Sequence, residues 1–279
     1  MNRILIREEL NTVVTRMVID APLVAGKAEA GQFVILRTHD NGERIPLTVA
    51  DYDREKGTVT VIFQVVGATT EKLNHMQPGE YLCDFVGPLG RPAETEGIRK
   101  AAVIGGGVGC AIAWPVARRL HEQGCEVHSI IGFRSRGLVI LEHEFERVSD
   151  RVFRMSDDGS FGEKGLVTDA LRILLERGET YDRVIVIGPL PMMKYVCALT
   201  EQYGIKTVAS MNSIMIDGTG MCGCCRLTVG GKVRFACVDG PDFDGHQIDF
   251  DEAIARSSSY REFERQAWEE TCNLFREVR

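Results

Sequence analysis

The sequence predicts an α/β plus β protein. An amino-terminal antiparallel β-barrel leads into a central parallel α/β domain, then a cysteine-bearing loop region and a terminal helix. Three observations carry this. Short runs of β-branched residues separated by turn signals fill the amino-terminal third. Continuous apolar runs alternating with helical segments follow. Four cysteines then crowd into one short stretch rich in glycine and aspartate.

Residues 1–97 carry the barrel. Segments 12–19, 32–37, 58–66 and 81–86 are rich in Val, Ile, Thr and Phe, as strands are. Asn41-Gly42, Lys56-Gly57 and Pro78-Gly79 mark turns between them, and this spacing suits a small antiparallel barrel. In residues 98–206 the apolar run 101–104 meets a glycine turn and a helix over 111–123, whose Pro115 is tolerated only near the start. Further strands at 125–132 and 182–188 alternate with helices, and some of the strands are apolar on both faces, which fits a parallel sheet covered on both sides. Periodicity is lost over 207–248. It returns as a helical pattern over 249–279, with Ile254, Tyr260, Phe263, Trp268 and Phe275 expected to be buried. No repeat, low-complexity tract or linker interrupts the chain.

At 279 residues the chain is long enough for about two domains at roughly 150 residues each. Forty acidic against 33 basic residues give a net charge of −7, and no basic run appears. That balance argues against nucleic acid or an anionic membrane as partner. No apolar stretch reaches the roughly 18 residues of a membrane helix. The opening Met1-Asn2-Arg3-Ile4-Leu5-Ile6 has no apolar signal core, so a cytoplasmic location is expected. Of nine cysteines, Cys83, Cys110, Cys125, Cys197 and Cys272 stand alone and read as small buried hydrophobes. Cys222, Cys224, Cys225 and Cys237 need another explanation.

The stretch reads Asp217-Gly218-Thr219-Gly220-Met221-Cys222-Gly223-Cys224-Cys225, with Cys237 further on. Plant-type [2Fe–2S] loops use C-x4-C-x2-C and a distant fourth cysteine. Cys222 and Cys225 match the second and third ligands, and Cys237 the fourth. Counting back from Cys222 by that spacing lands on Asp217, whose carboxylate oxygen can bind iron. The glycines permit the turns that wrap a loop around a cluster. Two other readings compete: a structural zinc held by Cys222, Cys225, Cys237 and His246, and plain thiols. Cys224 has no assigned role.

The second signal is Val103-Ile104-Gly105-Gly106-Gly107-Val108-Gly109, a strand entering a glycine turn and a helix. Such a turn lets a pyrophosphate approach the backbone at a helix N-terminus, though a bare tight turn reads the same way. Arg134 and Arg136 follow the next strand, where they meet an adenosine 2′-phosphate or simply face solvent. The third signal pairs Arg44-Ile45-Pro46-Leu47-Thr48 with Gly67-Ala68-Thr69-Thr70. The guanidinium suits a phosphate, Thr48 a flavin edge, and Thr69 or Thr70 a helix cap; capped turns in a barrel explain them equally. No Ser/His/Asp arrangement is present, so no catalytic side chain is assigned. Hydride transfer between nicotinamide and flavin needs alignment rather than a general base.

In this order, barrel, glycine turn and cysteine loop resemble the electron-transfer subunits of the ferredoxin–NADP reductase superfamily. Two branches are similar over nearly the whole chain. One is the iron–sulfur subunit of dihydroorotate dehydrogenase B. The other is the small subunit of NADH-dependent reduced ferredoxin:NADP oxidoreductase, also called sulfide dehydrogenase small subunit. The marks are Ala30-Gly31-Gln32-Phe33, Arg44 to Thr48, Gly67 to Thr70, Gly87-Pro88-Leu89-Gly90, Gly105 to Gly109, Asp157-Asp158-Gly159-Ser160, Gly188-Pro189-Leu190-Pro191-Met192-Met193 and the cysteine loop.

The resemblance implies FAD in the barrel cleft, contacted by Arg44, Ile45, Pro46, Leu47, Thr48, Phe63, Gln64, Val65, Gly67, Thr69 and Thr70. It implies NAD(H), with NADP(H) as the alternative, near Gly106, Gly107, Val108, Arg134, Asp157, Gly188, Pro189 and Met192. It implies a [2Fe–2S] cluster on Asp217, Cys222, Cys225 and Cys237, in a segment spanning 207–248. Aspartate at the first ligand position looks like the second branch, since the dihydroorotate branch has cysteine there. The expected partner is a larger flavoprotein subunit carrying FAD and [4Fe–4S] clusters, with ferredoxin reached indirectly. The expected activity is electron transfer, including flavin-based bifurcation; the alternative is the electron-transfer subunit of dihydroorotate dehydrogenase B.

Overall fold

The computed structural model describes the backbone of residues 2–277 and the side chains of 2–271. The amino-terminal part is a seven-stranded antiparallel sheet of β1 (Asn2–Asn11), β2 (Val14–Asp20), β3 (Phe33–Arg37), β4 (Ile45–Asp53), β5 (Thr58–Gln64), β6 (Tyr81–Leu82) and β7 (Asp84–Leu89). Their spatial order is β6-β1-β2-β5-β4-β3-β7. The two edge strands are consecutive in the chain, separated by Cys83 alone, so the sheet curls into a nearly closed barrel. Its core is Ile4, Met17, Ile19, Val34, Leu36, Val49, Val59, Val61 and Phe63, all at most a few per cent exposed. Two helices, α1 (Pro22–Ala25) and α2 (Ala68–His75), pack on it.

A second seven-stranded sheet follows. It is built from β8 (Lys100–Gly106), β9 (Glu126–Phe133), β10 (Arg151–Ser156), β11 (Glu163–Lys164), β12 (Arg183–Ile187), β13 (Thr207–Ser210) and β16 (Asp242–Asp244), in the order β11-β10-β9-β8-β12-β13-β16. All pairs are parallel except β13 with β16. Ala101 and Val103 pack on one face with α3 (Cys110–Glu122) and α4 (Glu142–Arg147). Ala102 and Ile104 pack on the other with α5 (Val167–Glu176) and α6 (Leu190–Gln202). Burial of both faces explains the unbroken apolar runs of the sequence.

The core beneath α3 is shared with the barrel through Val14, Ala30, Ala50 and Ile62. Arg118 of α3 also reaches Asp51 of β4, with Nη1 2.7 Å from Oδ1. Between β13 and β16 the chain makes the hairpin β14 (Arg226–Val229) and β15 (Lys232–Phe235). It ends in α7 (Phe250–Ser257) and α8 (Arg261–Glu277), the latter lying against α2. Among the described residues no helix is long and apolar enough to cross a membrane.

Three expectations of burial are corrected. Tyr260 and Phe263 are 58% and 71% exposed, on the solvent side of the last helical segment. Cys83 is exposed, its sulfur 3.1 Å from Asp40 Oδ1, because it sits where the two barrel edges meet. Cys110, Cys125 and Cys197 are buried as expected, and the side chains of Cys272 and Phe275 lie outside the described residues.

Candidate functional site

A cleft of about 1330 Å³ opens between the barrel and the carboxyl edge of the parallel sheet. Open α/β sheets bind ligands at that edge. The start of β4 contributes Ile45, Pro46, Leu47 and Thr48, and the end of β5 contributes Phe63 and Gln64. Thr70 of α2 completes the barrel side. Its hydroxyl accepts the backbone N–H of Val66 and of Gly67, both at 3.0 Å, and so fixes the start of α2. Thr48 and Gln64 line the cleft with no side-chain partner within the described residues, which leaves their polar groups for a bound molecule.

The facing wall is the turn between β8 and α3. Gly106, Gly107, Val108 and Gly109 all line the cleft. Gly107 has φ +57°, and a Cβ there would meet nothing within 4 Å, so the turn presents open backbone toward the cleft. Gly109 is the tight position: a Cβ would stand 2.5 Å from the Ile187 carbonyl oxygen. Gly188, Pro189, Met192, Arg134 and Asp157 also line this wall. The unpartnered polar groups, the open glycine turn and the volume fit two dinucleotides, since ordinary ligand pockets are about 300–1,000 Å³.

Four expected barrel contacts lie elsewhere. Arg44 is turned to Asp84, 3.1 Å away, a carboxylate that Arg37 also holds at 2.8 Å. Arg37 first, then Arg44, keep the Asp84 carboxyl below the ordinary range. The Thr69 hydroxyl donates to Glu43 at 2.8 Å. Val65 packs toward the barrel core, and Gly67 lies just behind Thr70. The cleft also has walls that the sequence did not reveal. Tyr195, Leu199 and Gln202 of α6 line it, as does the segment 210–215 with Met211 and Met215.

Met211 and Met215 belong to the same buried cluster as Cys225 and Cys237. The inner cysteines and the cleft wall thus share one hydrophobic core. Cys225 and Cys237 are 1% and 2% exposed, and the Cys237 N–H lies 3.5 Å from the Cys225 sulfur. Burial, and then the neighbouring Cys225 sulfur, push the Cys237 thiol up to about 12. A thiolate there needs a bound cation to hold it. Asp217 and Cys222 form the outer pair. The Asp217 carboxylate accepts the Thr219 and Cys222 amides at 2.9 Å each, and these bonds lower its pKa. Two amides leave lone pairs of the carboxylate free for a metal. Gly218, at φ +76°, seats the loop on the barrel: a Cβ would stand 2.7 Å from Leu89 Cδ1 and 2.9 Å from Ile35 Cδ1.

Among the described residues no three Cys, His, Asp or Glu side chains converge on one point. The donors instead form two pairs, Asp217 with Cys222 and Cys225 with Cys237. A two-iron cluster takes two protein ligands on each iron, so this donor set fits it. His246, the fourth ligand of the zinc reading, is occupied elsewhere: its Nε2 lies 3.0 Å from the Thr200 hydroxyl.

Comparison with known proteins follows this geometry. Residues 212–249 match the iron–sulfur cluster binding domain of dihydroorotate dehydrogenase B. The dihydroorotate dehydrogenase B electron transfer subunit homolog of Thermotoga maritima is 44% identical, over 90% of this chain and 88% of its own. The chain belongs to the dihydroorotate dehydrogenase B-type electron-transfer subunits. An uncharacterized protein in the adh 3′ region of Clostridium beijerinckii is 46% identical over 94% of this chain and 91% of its own. A solved structure of the NADH-dependent reduced ferredoxin–NADP oxidoreductase, described for flavin-based electron bifurcation, contains a chain 40% identical to this one. It covers 97% of both chains with a TM-score of 0.92. An Amycolatopsis cytochrome P450 reductase, 21% identical with a TM-score of 0.61 over 72% of this chain and 65% of its own, shares the fold. This electron-transfer subunit is thus an oxidoreductase component with a ferredoxin reductase-like fold.

Proposed function

We propose that this chain is the iron–sulfur flavoprotein subunit of an NADH-dependent reduced ferredoxin:NADP oxidoreductase. It moves electrons between NAD(H), FAD, a [2Fe–2S] cluster and a larger subunit that carries its own FAD and [4Fe–4S] clusters. The observation that carries the reading is Asp217, a carboxylate at the position of the first cluster ligand, held in place by the Thr219 and Cys222 amides. Close similarity over 97% of both chains to the bifurcating oxidoreductase supports the same branch.

FAD and the cluster, when bound, supply the exchange between two-electron hydride chemistry and one-electron transfer. The chain's own residues set the geometry. Ile45 to Thr48, Phe63, Gln64 and Thr70 hold the flavin from the barrel side, and Thr48 and Gln64 have free polar groups for its edge. The Gly106–Gly109 turn and Gly188-Pro189 hold the nicotinamide nucleotide from the sheet side. The two dinucleotides are then aligned with no side chain needed as a base. Asp217, Cys222, Cys225 and Cys237 hold the iron. Met211 and Met215 line the cleft and are buried in the same core cluster as the inner thiols.

A second reading is the electron-transfer subunit of dihydroorotate dehydrogenase B. The match of 212–249 to that enzyme's cluster domain favours it. Purification of the intact complex from its host, with assay of both reactions, separates the two. NADH-dependent reduction of NADP+ coupled to reduced ferredoxin supports the first reading. Dihydroorotate-dependent reduction of NAD+ without ferredoxin activity sinks it and establishes the second.

A further inference from the structure

Hydrogen bonding joins the two walls of the cleft at one place. The Asn11 carboxamide Nδ2 donates to the Leu138 carbonyl at 3.1 Å. Both residues line the cleft, Asn11 from the barrel and Leu138 from the α/β side. Among the described residues no other hydrogen bond links lining residues of opposite walls. Each end of this clasp is fixed independently. Asn11 Oδ1 accepts the Val13 and Val14 N–H groups, at 2.9 Å each, across the turn between β1 and β2. Those two donors settle which end of the amide is oxygen, so its NH2 faces Leu138. On the far side, the Leu138 N–H donates to the Ser135 carbonyl at 3.1 Å. The Arg136 N–H donates to the Ser160 hydroxyl at 2.8 Å, and that hydroxyl donates to Asp158 Oδ1 at 2.6 Å.

The other polar tie between the halves, Arg118 with Asp51, lies outside the cleft lining. There the Trp114 ring steadies Arg118, with the guanidinium carbon 4.8 Å from the ring centroid. That tie holds α3 to the barrel and leaves the spacing at the cleft itself to Asn11. A single amide–carbonyl bond is a modest interaction. Here it connects two turns that are each already braced, so its length passes to the walls instead of being absorbed by slack loops. A flavin held by the barrel and a nicotinamide held by the sheet have no covalent link. The spacing of the walls is then the spacing of the reacting rings. Hydride transfer is sensitive to that spacing: reacting atoms must come within about 3–3.5 Å, and a misplacement of about 1 Å costs up to about 10²-fold in rate.

We propose that Asn11 is a positioning residue for hydride transfer, its carboxamide clasping the barrel wall to the sheet wall at Leu138 and so fixing the distance at which the two dinucleotides meet. This rests on the reading that the cleft takes FAD on one wall and NAD(H) on the other. Two variants of the full-length, FAD-loaded chain test it. Asn11→Asp and Asn11→Ser each keep an oxygen that accepts the turn amides, and each lacks the NH2 donor. The serine variant adds no charge, so it separates loss of the donor from repulsion of phosphates. Anaerobic rapid mixing with NADH gives the limiting rate of flavin reduction and the NADH affinity separately. Deuterium uptake at the amides of residues 138 and 139, measured before NADH is added, reports the turn itself. In both variants flavin content and NADH affinity stay within about twofold of wild type, the limiting rate falls by about tenfold or more, and the two amides exchange faster. A wild-type limiting rate in both variants overturns the proposal, and so does unchanged exchange. So does a fall confined to Asn11→Asp, which assigns the effect to charge. A change in NADH affinity alone makes Asn11 a binding contact, and loss of flavin makes it a structural one; either result overturns the proposal. If NADH fails to reduce the wild-type flavin, the reading of the cleft falls, and this proposal with it.

Discussion

The backbone N–H of Cys237 faces the sulfur of Cys225 across 3.5 Å, inside a core where both residues are almost fully buried. The outer donors are different, since Cys222 is exposed and Asp217 is bonded only to loop amides. The two halves of the donor set therefore have different structural roles.

Cys222→Ala and Cys225→Ala are both expected to abolish iron binding. Only Cys225→Ala also leaves a small hole in the core, which costs about 1 kcal/mol beyond the shared loss of metal. Iron and sulfide analysis with thermal melts of both variants checks this. Equal melting temperatures would show that the inner pair has no packing role.

Asp217→Ala is expected to lower cluster content strongly while FAD stays bound, because the cleft residues are untouched. Asp217→Cys keeps a cluster and shifts its potential, since ligand type and charge set potential. Visible spectra, flavin-to-protein ratio and redox titration read these outcomes. Full occupancy at the wild-type potential in Asp217→Ala would remove Asp217 from the ligand set.

Gly109→Ala places a methyl group 2.5 Å from the Ile187 carbonyl oxygen and 2.8 Å from Gly188 Cα. Both atoms are backbone, so neither yields cheaply. Overpacking of this kind costs about 1–3 kcal/mol and moves the turn that faces the cleft. Urea denaturation and NAD+ titration should both register it. Wild-type values in both would show that the turn has more slack than its geometry indicates.

His128 gives a pH prediction. It is 1% exposed, with Nδ1 2.9 Å from the Tyr181 hydroxyl. Burial, then the Lys100 ammonium, lower its pKa in the fold. An unfolded histidine titrates near about 6.5, so below that pH the unfolded chain binds a proton that the folded chain refuses. Stability from this group is present above that pH and is lost as the pH falls, by at most about 1.4 kcal/mol per unit. Urea melts between about pH 7.5 and 5.5 should show a smaller loss for His128→Gln than for wild type. Identical losses would exclude His128 as the source.

Much of this architecture was legible because periodicity and turn chemistry agreed. The runs around 58–66, 101–104 and 182–188 became β5, β8 and β12, trimmed or extended by a residue or two. β4 was not legible: its residues are mostly half-buried and begin Ile45-Pro46, so no alternation shows. β13 and β16 are four and three residues long, too short to carry a period. In the site, Thr48 and the glycine turn were visible from residue type and position, and Gln64 only through the family resemblance. Arg44 and Thr69 have suitable chemistry, but partners far off in sequence, Asp84 and Glu43, already engage it. The α6 residues that line the cleft were hidden because one helix serves both the core and the cavity.

The seat of the cysteine loop bears on protein engineering. Gly218 fits only because Leu89 and Ile35 of the barrel leave room for a residue without a side chain. The loop is thus not a portable cassette. Grafted onto another reductase of the same fold, it would need a barrel wall of matching shape at those two positions, so donor and host must be exchanged as a matched pair.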